Sequence, residues 1–137
     1  MMNPKTAKAA LTALALTLLS TCALADWTRV STSDDGKVTT YADTDTVLVL
    51  GAKVQLLTMT DYQEAQTLSA DQKFKSVKMQ DEYNCDDETG RHVNLTAMSD
   101  NMGKGNTVAV EMKPAPSRKI QAQTADAEML KFVCAKR

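Results

Sequence analysis

The sequence is short of the residues that catalysis and base stacking draw on. It holds one histidine, His92, and only one Trp, three Tyr and two Phe among 137 residues. With aromatics at 4% there is little surface for stacking, and no concentrated basic stripe; both exclude nucleic acid as a partner class. A Ser–His–Asp arrangement would have to use His92, which strand alternation sets opposite Val93 and Leu95 as an exposed surface residue. The paired carboxylates, Asp34-Asp35 and Asp86-Asp87-Glu88, fall in turns, where Asp bonds local backbone and needs no catalytic explanation. "DTDT" at 43–46 lacks the third ligand, central Gly and closing Glu of a calcium loop. "GKGNT" at 103–107 lacks the spacing of a phosphate loop and reads as a hairpin turn. "NLT" at 94–96 matches a glycosylation sequon, a three-residue pattern that carries no function by itself. The residues therefore predict no enzyme, no metal and no cofactor.

Apolar runs are confined to the N-terminus. Lys5 and Lys8 precede "LTALALTLLS" at 11–20, and Ala23-Leu24-Ala25 supplies small residues at a cleavage position. That order is a secretory leader over 1–25, too short to span a bilayer, which takes about 20 apolar residues. Cys22, in "LSTC" at 19–22, offers a competing lipid-anchor site; Thr21 suits that box poorly, and cleavage after Ala25 removes the cysteine. The expectation from the leader is export. Residues 26–137 suffice for a single domain. The chain carries 16 basic and 17 acidic residues. Since the only charges in the leader are its two lysines, the remainder has a net charge of −3.

Beyond the leader only Cys85 and Cys134 remain, in a chain bound for an oxidising compartment, and they most simply form one disulfide. The rival readings are a metal pair, which calls for more Cys or His, and a reactive thiol. A cross-link over 49 residues is worth roughly 4 kcal/mol in the chain-entropy model.

What is plentiful is strand pattern. Residues 27–33 and 37–42 read as a hairpin about Asp34-Asp35-Gly36. Residues 52–63 are rich in β-formers, with the apolar signal spread over both faces. In 74–85, Val77, Met79, Tyr83 and Cys85 share a face that Asp81 interrupts. Turns at 86–90 and 100–106 separate strands at 91–99, with Val93, Leu95 and Ala97 inward, and at 107–112. Residues 113–123 form a proline-punctuated crossover with no clear element. From Thr124 the period changes to that of a helix, with Thr124 as N-cap, Asp126 and Glu128 in the first turn, and Lys131, Lys136 and Arg137 near the end. Ala127, Leu130 and Cys134 mark its inner face, flanked by Met129 and Val133. The expected fold is α+β: an antiparallel meander of about six strands, with a C-terminal helix stapled to one face through Cys85 and Cys134.

Several motifs in order give the chain a family likeness: Trp27, "SDDG" at 33–36, Tyr41 with Asp43, "KSVKMQDEYNC" at 75–85, "SDNMGKGNTV" at 99–108, Pro114, Pro116 and Ser117, and "LKFVC" at 130–134. Together they resemble the surface-adhesin protein E family of Gram-negative bacteria over residues 26–135. The resemblance implies the same sheet-and-helix fold with its disulfide, binding of host extracellular-matrix glycoproteins, and a capacity to dimerise. An alternative is a periplasmic accessory or stress-related protein of the same fold without adhesion. Where relatives often carry an aromatic before the crossover prolines, this chain has Glu111, Met112 and Lys113. Two basic groups are candidates for an acidic glycan or glycoprotein: Lys113, Arg118 and Lys119 about the crossover, and Lys73, Lys75 and Lys78 along a strand. An open sheet edge is a further route to a twin subunit or a partner strand.

Overall fold

Apolar and polar residues alternating along the chain before Thr124 fold into one antiparallel sheet. The computed structural model describes residues 26–137; the expected leader, with Cys22, lies outside the described residues. The strands are β1 (Trp27–Thr32), β2 (Val38–Leu50), β3 (Lys53–Ser69), β4 (Gln72–Asn84), β5 (Thr89–Met98), β6 (Thr107–Glu111) and β7 (Arg118–Lys119), followed by helix α1 (Ala125–Cys134). Strands β1 to β6 lie side by side in sequence order, and β7 pairs with β5.

The first hairpin closes as its residues predict. Ser33 N–H donates to Val38 O and Gly36 N–H to Ser33 O, both at 2.8 Å, while the Asp35 carboxylate accepts from Ser33 Oγ and Lys37 N. Strands β2 and β3 run longer than the sequence suggests. Residues 43–46, the weak calcium candidate, are the start of an irregularity inside β2. There Asp45 N–H donates to Asp43 Oδ1 and Thr46 Oγ1 to Asp43 O, so Asp43 is bonded by its own loop.

The spread of apolar residues over both faces of β3 has a structural cause. Its two faces meet different covers. On one side α1 packs over Ala42, Val54, Leu56 and Tyr83, contributing Met129 and Val133. On the other, Met59 and Ser76 are fully buried beneath a short 3-10 turn, Asn101–Gly103. Asp61 Oδ1 accepts from Asn101 Nδ2 and Met102 N there, and Ser76 Oγ donates to Asp100 O. Gly103 has φ +69, and a Cβ on it would fall 2.9 Å from Lys78 Cδ; only glycine accepts both the left-handed backbone and the contact.

The proline segment is more ordered than expected. Residues 107–119 follow one edge of β5 throughout, since Ala115 N–H donates to His92 O between β6 and β7. Pro114 and Pro116 interrupt this edge, which prolines tolerate because no outer strand needs their N–H.

Thr124 caps α1, its Oγ1 accepting from Ala127 N at 3.1 Å. The helix ends at Cys134, and its buried stripe centres on Met129 and Val133, with Leu130 and Cys134 at the margin. Cys134 is joined to Cys85, with Cα atoms 5.8 Å apart. A 10-residue helix is marginal alone. Burying Met129 and Val133 supplies about 1.5–3 kcal/mol each, and the cross-link fixes the last turn to the β4–β5 connection.

Candidate functional site

Helix α1 is shorter than the strands beneath it, so it leaves part of its sheet face uncovered. A cavity of about 260 Å³ opens there, with Val38, Val77, Met79 and Met129 forming its apolar walls. Its polar side is built on β4 and β5. Asp81, 3% exposed, accepts from Thr58 Oγ1 at 2.6 Å through Oδ2 and pairs with His92 Nδ1 at 2.6 Å through Oδ1. Arg118 and Asp126, which also line the cavity, form an ion pair between β7 and α1.

His92 is therefore not the exposed residue that alternation placed opposite Val93 and Leu95. The β4–β5 register pairs Gln80 with Asn94 and Asp81 with His92, leaving Val93 as the extra residue of a bulge. The bulge turns His92 onto the same face as Leu95, the face that carries α1. Its side chain is 31% exposed. The signal for this cluster was present in the sequence, in the Asp81 that broke an otherwise apolar face.

An ionised carboxylate only accepts hydrogen bonds, so Nδ1 of His92 carries a proton and Nε2 is the edge turned away from Asp81. The Asp81 bond raises the His92 pKa above the ordinary histidine value of 6.5, against the opposing effect of burial. Burial, followed by the Asp81 charge, holds the Tyr83 phenol well above its usual range. Thr58 donates to the carboxylate that anchors the histidine, not to the histidine itself. His92 is thus not placed to deprotonate Thr58, and the order of groups differs from a nucleophile–His–acid relay.

The raised pKa fixes the sign of a pH effect. Stability from the charged His92–Asp81 pair is fully present below pH 6.5 and is lost as pH rises through the folded-state value. The surrounding charges are Arg118 from β7 and Asp126 from α1, with Tyr83 beside Asp81 on β4. Melting temperature should fall more between pH 6 and pH 8.5 for the native chain than for His92→Gln. Equal pH dependence in the two proteins would contradict this assignment.

On the helix-free face a second buried carboxylate is compensated. Glu82 accepts from Gln55 Nε2 at 2.7 Å and Arg91 Nε at 3.2 Å, with Lys53 Nζ at 3.6 Å. The Gln55 bond first, then the two cations, hold its carboxyl below the ordinary range, with burial opposing.

The six basic candidates do not converge. Lys73 and Lys75 lie near the start of β4, while Arg118 and Lys119 pair beside Gly90 and Thr89 at its far end. At ~3.3 Å per residue these ends are roughly 35 Å apart. Lys78 lies on the opposite face of β4 from Lys73 and Lys75, its stem against Gly103. Arg118 is engaged with Asp126, Lys119 Nζ donates to Asp87 O at 2.7 Å, and Lys113 is exposed just after β6.

The family model for surface-adhesin protein E matches residues 27–135. The chain belongs to the surface-adhesin protein E family. Its fold agrees. The crystal form II structure of Haemophilus influenzae protein E superposes with a TM-score of 0.62 at 13% identity, covering 79% of this chain and 87% of that one. Protein E from non-typeable Haemophilus influenzae gives 0.59 at 15% identity, over 84% and 79%. A comparison with curated protein sequences gives no match. At such identities the likeness to the solved structures speaks for the adhesin E fold alone.

Proposed function

We propose that this adhesin E domain is an exported, non-enzymatic binding protein of the cell envelope, and that its partner is a host extracellular-matrix glycoprotein. Membership of the surface-adhesin family across residues 27–135 carries the reading. The buried carboxylates Asp81 and Glu82 are bonded within the sheet, and in this reading the contact falls to the basic side chains without such partners among the described residues, Lys73 and Lys75 at one end of β4 or Lys113 after β6. Residues 1–25 serve as the export leader in this proposal. Pairing of two copies along an outer strand, β1 or β6, belongs to it as well.

Two charge reversals test the contact without disturbing the fold, since they spare Arg118, Lys78 and Lys119, which have structural partners. Lys73→Glu with Lys75→Glu, and Lys113→Glu alone, are compared for binding to immobilised matrix glycoproteins. One of the two is expected to weaken binding about tenfold, or ~1.4 kcal/mol, with the effect shrinking in high salt. No binding by the native protein, or labelling of the cellular protein by a membrane-impermeant reagent only after the outer membrane is opened, would end the adhesive reading. Either result would leave the periplasmic accessory role.

A further inference from the structure

The cavity beside α1 joins apolar walls to a set of hydrogen-bonding groups that does not balance. Two carboxylates and two cations line it, and both carboxylates are taken up by the protein itself. Asp81 accepts from Thr58 and His92 through its two oxygens, and Asp126 accepts from Arg118 through Oδ2. The cations have donors to spare. An imidazolium donates through two N–H groups and a guanidinium through five. His92 spends Nδ1 on Asp81, and Arg118 spends Nη2 on Asp126. Among the described residues no acceptor meets His92 Nε2 or the rest of the Arg118 guanidinium. What the cavity lacks is an acceptor.

Register holds the two cations on one face. Arg118 pairs with Gly90, two residues before His92, so both side chains rise on the face that carries α1. A Cβ on Gly90 would lie 3.1 Å from Cδ1 of both Tyr83 and Ile120; glycine leaves that space to their side chains. The Arg118 charge opposes protonation of His92, and an anion between them relieves that repulsion.

Size and wall chemistry narrow the class of anion. A dry apolar cavity of about 150 Å³ accepts benzene. About 260 Å³ therefore holds one ring, or a branched chain of similar bulk, with a carboxyl group attached. Met79 and Met129 in the wall are unbranched side chains that adapt to irregular apolar shapes. Inorganic phosphate would leave this wall facing water, and a neutral ring would leave the cations without an acceptor.

We infer that the cavity framed by β4, β5, β7 and α1 is a binding site for a small organic monocarboxylate, its apolar body against Val77, Met79 and Met129 and its carboxylate accepting from His92 Nε2 and the Arg118 guanidinium. The site stands whether or not the domain binds matrix glycoproteins.

Residues 26–137, which hold every strand, the helix and the disulfide, are titrated with phenylacetate below pH 6.5 and followed by NMR. Saturable shifts are expected at the Met79 and Met129 methyl groups and the His92 ring, and the bound ligand should raise the His92 pKa further. His92→Gln should weaken binding about tenfold, as for a lost hydrogen bond between charged groups. Val77→Phe fills the cavity while keeping every charge, and should weaken binding at least as much in a protein that still melts cooperatively. Phenylacetamide, which has the ring without the charge, should bind at least tenfold more weakly than phenylacetate. Absence of shifts with phenylacetate, equal binding of phenylacetamide, or undiminished binding by either variant overturns the proposal. Shifts confined to Lys73 and Lys75 also overturn it, since they mark an anion on the surface. The titration contains no host protein, so failure here and failure of matrix binding are separate results.

Discussion

Replacing Cys85 and Cys134 together with alanine is expected to remove about 4 kcal/mol of stability, the entropy that a 49-residue cross-link takes from the unfolded chain. For a domain of this size that corresponds to a fall in melting temperature on the order of 15 °C. The loss should be unevenly distributed. The meander from β2 to β5 is held by its own ladders, whereas α1 rests on Met129, Val133 and the cross-link. Amide hydrogen exchange in the double variant should therefore accelerate first in Ala125–Cys134 and at Val54 and Leu56 beneath it. Reduction of the native protein should reproduce the pattern, and intact mass should rise by two hydrogens. A variant that melts at the native temperature with α1 still protected would show that packing alone holds the helix.

Asp81→Ala is expected to cost about 3–5 kcal/mol, comparable to breaking a buried ion pair by removing one partner. Thr58 Oγ1 and His92 Nδ1 would both lose their acceptor, beside the buried side chains of Leu56 and Tyr83. Asp81→Asn keeps the volume and one acceptor, and should cost about 1–3 kcal/mol. A double-mutant cycle with His92→Gln separates the pair from the rest of the network. The coupling should be largest below pH 6.5, where the imidazole is charged. Urea denaturation checks all three values, and an Asp81→Ala protein within ~0.5 kcal/mol of native would refute the network's structural role.

The course of β4 was legible because one face of it is apolar, and the helix was legible from Thr124 and the change of period. The disulfide followed from there being only two cysteines outside the leader. Three features were hidden for physical reasons. The bulge at Val93 reverses the facing of His92, and a single inserted residue leaves no mark in an alternation read one strand at a time. The burial of Met59 depends on Asn101–Gly103 folding back across the sheet, a contact over some 40 residues in sequence. The ordered edge at 113–119 was masked by its prolines, which argue against an inner strand and are neutral about an outer one. For the candidate site, Asp81 was visible as an anomaly, but its partners come from two other strands, and only the register brings Thr58 and His92 to it.

The order of the elements, with α1 after every strand it covers, has a consequence for biogenesis. A polypeptide made from its N-terminus acquires β1 to β7 before the helix exists, so through most of its synthesis Ala42, Val54 and Leu56 have no cover and Cys85 has no partner thiol. A chain stopped between Cys85 and Ala125 would keep that greasy face and that lone sulfhydryl indefinitely. Both are features by which proteases and thiol-exchange enzymes recognise unfinished proteins. The helix therefore supplies both the missing cover and the missing thiol, and the disulfide can form only once Cys134 has been made.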